Sequence, residues 1–200
     1  MHRPSHFALD DRDALTVVAE TGFVQLVSSG PDGFAVTPLP VLVDRGRAVL
    51  RGHVARANPH WRSLADAPVA VAVCSPTDGY VSPTWYPSKV EHGRVVPTWN
   101  HVTVAVHGTV EVHDDPEWVL ALVRELSDAH EADRERPWSI DDAPAEFIAK
   151  QAKAIVGVEL RIERVEGAAK LSQNRPVADR EGVLDGLDDE PLLTAMRRWV

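Results

Sequence analysis

Cysteine is nearly absent from this chain: Cys74 is the one cysteine in 200 residues. It excludes an internal disulfide, and its place in the apolar run VAVAVCS reads as a buried, inert thiol in a cytoplasmic protein. No apolar run approaches the ~20 residues that span a bilayer, and the opening MHRPSHFALDDRD has no signal-peptide core, so neither a membrane nor export is expected. Basic residues are also in deficit, 21 against 30 acidic, for a net charge of −9. Proteins that grip DNA by themselves neutralise phosphates with a basic field, and none is visible here, nor is a helix-turn-helix. Direct DNA binding is therefore doubtful. HExxH, CxxC, G-x-S-x-G and G-x-G-x-x-G are all missing, which removes the usual signatures of metalloproteases, zinc modules, α/β-hydrolases and Rossmann folds.

The pattern along the chain is mixed. Asp11 to Glu20 reads as a helix stopped by Gly22, FVQLVS from Phe23 as a strand, and Gly30-Pro31-Asp32-Gly33 as a turn. Phe34–Val43 returns as a strand whose alternating Pro38 and Pro40 place it at an edge or bulge. Asp44-Arg45-Gly46-Arg47 turns into a third strand. Pro68–Cys74 is short and apolar enough for a strand buried on both faces, and Asp78-Gly79 and His92-Gly93 read as turns. From Val102 to Val112 valines alternate with His101, Thr103, His107, Thr109, Glu111 and His113, a half-buried strand. Asp115-Pro116 starts a helix to about His130, a further helix covers Pro144 to Ala154, and a last strand runs from Val156 to Ile162. The tail LSQNRPVADREGVLDGLDDE reads as loop, with a closing helix over Glu190–Trp199. Turn-linked strands with helices between and after them give an α+β pattern dominated by an antiparallel sheet, which loses its open edges most easily by curling into a barrel.

Leu50–Ser63, LRGHVARANPHWRS, is the stretch richest in chemistry. A strand gives way to Asn58-Pro59, a good N-cap followed by a proline at the first helical position. A helix start suits an anion, and Arg56 adds a planar fork fitted to phosphate. An ordinary strand–loop–helix junction with a solvated Arg56 fits equally well. Tyr80, Trp85, Tyr86 and Trp99 stand on loops and could wall a flat ring, with Ser82, Thr84, His53 and Asn100 at its polar edge; a core role for the aromatics and loop-capping for the polar residues is the alternative. Flavin mononucleotide has the matching shape, one terminal phosphate and one planar heterocycle. His101, His107 and His113 share a strand face, but six residues of strand span about 20 Å against Zn–N bonds of ~2 Å, so no two can hold one ion and no metal site is expected.

Five ordered segments carry a resemblance: GHVARANPHW (Gly52–Trp61), YVSPTWYPSK (Tyr80–Lys89), VPTWN (Val96–Asn100), VAVHGTVEV (Val104–Val112) and KLSQNR (Lys170–Arg175). Together with RPSHF at Arg3–Phe7 and the AIVGVELRIERVEG stretch, they resemble the PaiB family of FMN-binding negative transcriptional regulators. The resemblance implies an FMN-binding split β-barrel, antiparallel and Greek-key-like with peripheral helices, in one domain over residues 1–200. A helical segment near 115–154 and a C-terminal loop and helix extension near 168–200 would flank it. It also implies a homodimer with FMN in the groove between subunits. The phosphate would fall on His53, Val54, Ala55, Arg56, Ala57 and Asn58. Tyr80, Ser82 and Trp85 would border the ring or the partner, and Lys170 and Gln173 would reach the same groove. Pro76-Thr77-Asp78-Gly79 stands where the family often has a Gly-Pro-His lead. A small FMN-dependent reductase or oxidase, and a haem-binding split barrel, are the other functions this likeness brings with it.

Overall fold

The computed structural model describes residues 1–30 and 33–200; the expected turn at Gly30–Gly33 rests on Pro31 and Asp32, which lie outside the described residues. In chain order the elements are β1 (Ala8–Leu9), α1 (Asp11–Thr21), β2 (Phe23–Gly30), β3 (Gly33–Asp44), β4 (Val49–Ala55), α2 (His60–Asp66) and β5 (Val69–Val81). Then follow α3 (Ser88–His92), β6 (Thr98–His113), α4 (Pro116–Glu131), α5 (Ala145–Ala152), β7 (Ile155–Lys170), α6 (Val177–Gly186) and α7 (Glu190–Trp199). The seven strands form one antiparallel sheet in the order β1-β7-β4-β3-β2-β5-β6, with β6 also paired to β7. The chain divides into two compact units. One comprises Met1–Val17, Cys74–Ala105 and Val165–Val200; the other comprises Val18–Val73 and Val106–Arg164.

In the second unit β2 pairs with β3 over its whole length, β3 with β4 from Val41 to Asp44, and β4 with β7 from Val49 to Ala55. β2 also pairs with the start of β5, from Gln25 to Ser28. The backbones of β6 and β7 come so close that a Cβ on Gly108 would lie 1.8 Å from the Arg161 carbonyl, and this pairing closes the ladder. Alternate residues turn inward from each strand, Val24, Leu26, Leu39, Val41, Leu50, Ala72, Val110, Val158 and Leu160 among them. Residual space among them is only about 10 Å³. The interior is packed with side chains, and a ligand has to bind outside it.

The prolines of β3 behave as their chemistry demands. Val41 N–H donates to Gly22 O at 2.9 Å, so by alternation the positions of Pro38 and Pro40 face away from β2. Pairing with β4 begins only at Val41, so these two residues sit on a locally open flank, inside a strand that is otherwise internal.

The first unit buries Leu9, Ala14, Val81, Tyr86, Val102, Val104, Leu171, Val183, Leu192 and Met196. Two expectations fail here. Asp78-Gly79 is not a turn: both lie within β5, where Asp78 accepts from Trp99 Nε1 at 2.6 Å. The tail is not a loop throughout, since α6 occupies Val177–Gly186. That helix has no apolar stripe to betray it, because its packed side presents one valine, Val183, beside Asp179, Gly182 and Gly186. Asp179 accepts from the N–H and hydroxyl of Ser88 at 3.1 and 2.7 Å, and the two glycines lie against Trp85.

Candidate functional site

The β4–α2 junction forms as the sequence indicates. Asn58 Oδ1 accepts from His60 N–H at 3.0 Å, and Pro59 is already helical with φ −69° and ψ −14°, so Asn58 acts as the cap. The same Asn58 side chain donates to Thr37 Oγ1 at 3.0 Å. Thr37 Oγ1 and Ser28 Oγ each lie 2.8 Å from a ring nitrogen of His60. One ring nitrogen of neutral histidine donates and the other accepts, so both hydroxyls and both nitrogens are satisfied. His60 is 3% exposed, and its burial pushes its pKa below the ordinary histidine value. A groove of about 340 Å³ lies over this network, lined by Phe34–Thr37 of β3 and by Asn58, Pro59, His60 and Ser63. Its size is at the lower end of the ~300–1,000 Å³ of small-molecule sites.

Arg56 is held by several groups. Nε donates to Lys153 O at 2.7 Å, Nη1 to Asp114 at 3.0 Å, and Nη2 to Asp114 and to Ile155 O. One Nη1 N–H is left over. The fork-to-fork pairing raises the pKa of Arg56 and holds the Asp114 carboxyl below its usual range. The Arg56 backbone accepts from Trp61 Nε1 at 3.0 Å and donates to Ala154 O at 2.8 Å. His53 is different. Its Nδ1 is buried without a hydrogen-bond partner, and desolvation lowers its pKa. Val54 belongs to the core, while Ala55 and Ala57 are exposed. The segment thus offers an orphaned ring nitrogen and a residual guanidinium N–H, while the amides of Arg56 and Asn58 are already donated to Ala154 O and Ala55 O. That donor and acceptor set fits a phosphate-bearing ligand in kind.

The remaining five expected residues, Tyr80, Ser82, Trp85, Lys170 and Gln173, belong to the first unit, and the His53–Asn58 segment belongs to the second. Ser82 caps a 3₁₀ turn at Pro83–Trp85, accepting from Thr84 N–H at 3.2 Å. The Trp85 ring lies 2.4–2.5 Å from where a Cβ on Gly186 would be, so the indole packs on α6. Gln173 clamps its own turn, donating to Ala169 O at 2.6 Å and accepting from Leu171 N–H at 2.7 Å around Ser172, whose φ is 70°. Lys170 Nζ donates to Thr98 Oγ1 at 2.6 Å and to Trp99 O at 2.9 Å. Tyr80 keeps an exposed ring, edge-on to the equally exposed Trp99 at 6.1 Å. Beside them His101 has a lowered pKa, first through burial and then through the Lys170 charge. Sequence reading missed the Asp114 partner of Arg56 and the Ser28–Thr37 floor under His60. Neither carries a local signal, because each comes from a distant segment.

Among the described residues no helix is long and apolar enough to cross a membrane. Residues 1–164 match the family described as "Putative FMN-binding domain", a span that contains the β4–α2 junction, the groove and Tyr80–Trp85 but not Lys170 or Gln173. An uncharacterised protein of Aspergillus fumigatus is 33% identical over 171 residues, 70% of this chain and 66% of that protein. The chain thus matches just under two thirds of that relative. Protease synthase and sporulation protein PAI 2 of Bacillus subtilis is 26% identical over 193 residues, covering 95% of this chain and 90% of that one. In fold the chain is similar to the FAD and haem binding protein of Mycobacterium smegmatis, with a TM-score of 0.60 at 16% identity over 90% of this chain and 80% of that one. The packed antiparallel ladder, the phosphate-compatible junction beside an open groove, and these likenesses agree. The chain is a PaiB-type member of the FMN-binding family on the split β-barrel fold, and FMN is its cofactor.

Proposed function

We propose that this protein is a cytoplasmic, homodimeric FMN-binding regulator of the PaiB type, which influences transcription without gripping DNA by itself. The observation that supports it most is the family match over residues 1–164, which takes in the whole β4–α2 junction. In this reading the side chains of His53 and Arg56, on the segment His53–Asn58, hold the phosphate, and Phe34 and Val36 line the groove beside it. Tyr80 keeps its ring exposed within the first unit. Ser82, Trp85, Lys170 and Gln173 shape the segments around Tyr80 and Trp99. FMN, when bound, supplies hydride and one-electron chemistry; the chain's own groups bind and orient it. The near full-length likeness to PAI 2 favours the regulatory role over an enzymatic one, and the charge of −9 favours action through a partner.

The test is an absorbance spectrum of purified protein with and without added FMN, run with native mass. A flavin band at one per chain and a dimeric mass are expected; failure to take up FMN overturns the reading. Mobility shift at moderate salt should show no tight retention of promoter DNA by this chain alone. Rapid bleaching of the flavin by NADH or NADPH would replace the regulator with a flavoenzyme.

A further inference from the structure

Three side chains in the second unit make a cluster that the flavin reading does not use. Glu111 and His113 are two residues apart on β6 and so share a face, and Glu159 comes from β7. One oxygen of each carboxylate and a ring nitrogen of His113 all lie within 4.8 Å of one another. His113 Nε2 is 3.9 Å from Glu111 Oε1, too far for a hydrogen bond. Two ligands of a tetrahedral zinc, at bonds of ~2.0–2.2 Å, sit about 3.3 Å apart, so a small closure would seat an ion.

Buried polar atoms normally find partners, and two here do not: His113 Nε2 and Glu159 Oε2 are both buried without a hydrogen bond. The Glu159 side chain is only 8% exposed. Its counter-ion is Arg47, whose Nη2 lies 3.1 Å from both carboxylate oxygens but makes a hydrogen bond only to Oε1. The Arg47 side chain is 56% exposed and can swing out. Arg51, paired across the strands with Glu159, gives Nη1 and Nη2 to Glu125 at 3.1 and 2.6 Å and leaves its own Nε buried without a partner. The imidazole is held in position by its stack on Trp118, with ring centres 4.0 Å apart and planes 8° from parallel. Trp118 in turn occupies the space over Gly157, where a Cβ would lie 2.2 Å from the indole. A ring fixed in this way, with an unpaired nitrogen facing two carboxylates, is built as a ligand set.

We propose that Glu111, His113 and Glu159 bind a divalent cation of the zinc class, with Arg47 as the built-in counter-ion that the metal displaces. Two carboxylates and a neutral imidazole match its charge and its preference for mixed nitrogen and oxygen donors. Exposed Glu111 leaves room for water in the remaining position.

The test uses the 200-residue chain with FMN present, stripped of metal by a chelator and titrated with Zn²⁺ against a chromophoric competitor. One ion per chain is expected. His113→Ala and Glu159→Gln should each weaken binding at least tenfold, Glu111→Gln by several-fold, and Arg47→Ala should tighten it by several-fold. His107→Ala, on the same strand but outside the cluster, should bind like the parent. Co²⁺ in place of Zn²⁺ should give a visible d–d spectrum that His113→Ala abolishes. Binding that is only millimolar, affinity unchanged in His113→Ala, or weaker affinity in Arg47→Ala overturns the proposal. Should Glu159→Gln fail to fold, the exposed Arg47→Ala and Glu111→Gln variants decide by themselves.

Discussion

His53 and His60 stand seven residues apart on either side of the β4–α2 turn, and burial lowers the pKa of both. Their surroundings are opposite. His60 has a hydroxyl on each nitrogen, that of Thr37 also tied to Asn58, whereas His53 Nδ1 meets no partner. A saturated buried histidine is part of the structure. An unsaturated one beside an exposed loop keeps capacity for something the protein binds. The same contrast separates Gln173, whose amide is consumed within its own turn, from Arg56, which has strong partners and still an N–H to spare.

The largest effect expected from this contrast is on stability. His60→Ala strips partners from Ser28 and Thr37 and should cost about 2–4 kcal/mol in urea unfolding. His53→Leu should leave stability within roughly 0.5 kcal/mol, since an orphaned polar atom is replaced by an apolar one, yet it should weaken FMN binding. Equal losses in both variants would erase the distinction. Next in size, Arg56→Ala should weaken FMN about tenfold, the scale of one charge-assisted bond. Asp114→Asn, by releasing the guanidinium, should strengthen FMN binding by several-fold in the same fluorescence titration. If Asp114→Asn instead weakens binding, the carboxylate serves to orient the arginine for its ligand. Gln173→Ala should cost about 1 kcal/mol of stability and leave FMN affinity alone; a drop in affinity would move Gln173 from the turn to the ligand.

The smallest effect is with pH. His53, His60 and His101 all have folded-state pKa values below the ordinary 6.5. The unfolded chain therefore takes up protons first as pH falls. Their contribution is fully present above pH 6.5 and is lost as pH drops through the lowered values. Tm recorded from pH 7.5 down to 5 should fall, and His60→Gln should flatten part of that slope.

What the sequence revealed was local chemistry. Asn58-Pro59 and Asp115-Pro116 mark helix starts because capping is decided within a few residues, and β6 was visible because its valines alternate. Gly93 ends α3 in the left-handed conformation at φ 67°, as His92-Gly93 suggested. Long-range features were hidden. Asp78-Gly79 stays extended within β5, and the Asp78 carboxylate accepts from Trp99, twenty-one positions on. α6 escapes sequence reading because its packed side offers glycines and a buried aspartate around a single valine, Val183, in place of an apolar stripe. At the candidate site, Arg56 and Asn58 could be read from the junction. Their partners Asp114 and Thr37 could not, since folding alone brings them near. The histidine pattern on β6 likewise argued against an ion shared between histidines, while the Glu111–His113 spacing gained meaning only once β7 brought Glu159 alongside.

The two prolines of β3 also govern how this molecule can meet others. From Gly33 to Pro40 that strand has β2 as its paired neighbour, and it carries Phe34 and Val36 at 82% and 58% exposure, the profile of a sticky, unfinished rim. With Pro38 and Pro40 turned outward, the rim has no amide to offer at two successive pairing positions, which interrupts the ladder that a stray extended segment could form along it. The prolines break the run of backbone donors next to Phe34 and Val36, which shortens the stretch over which this greasy margin could seed fibril growth.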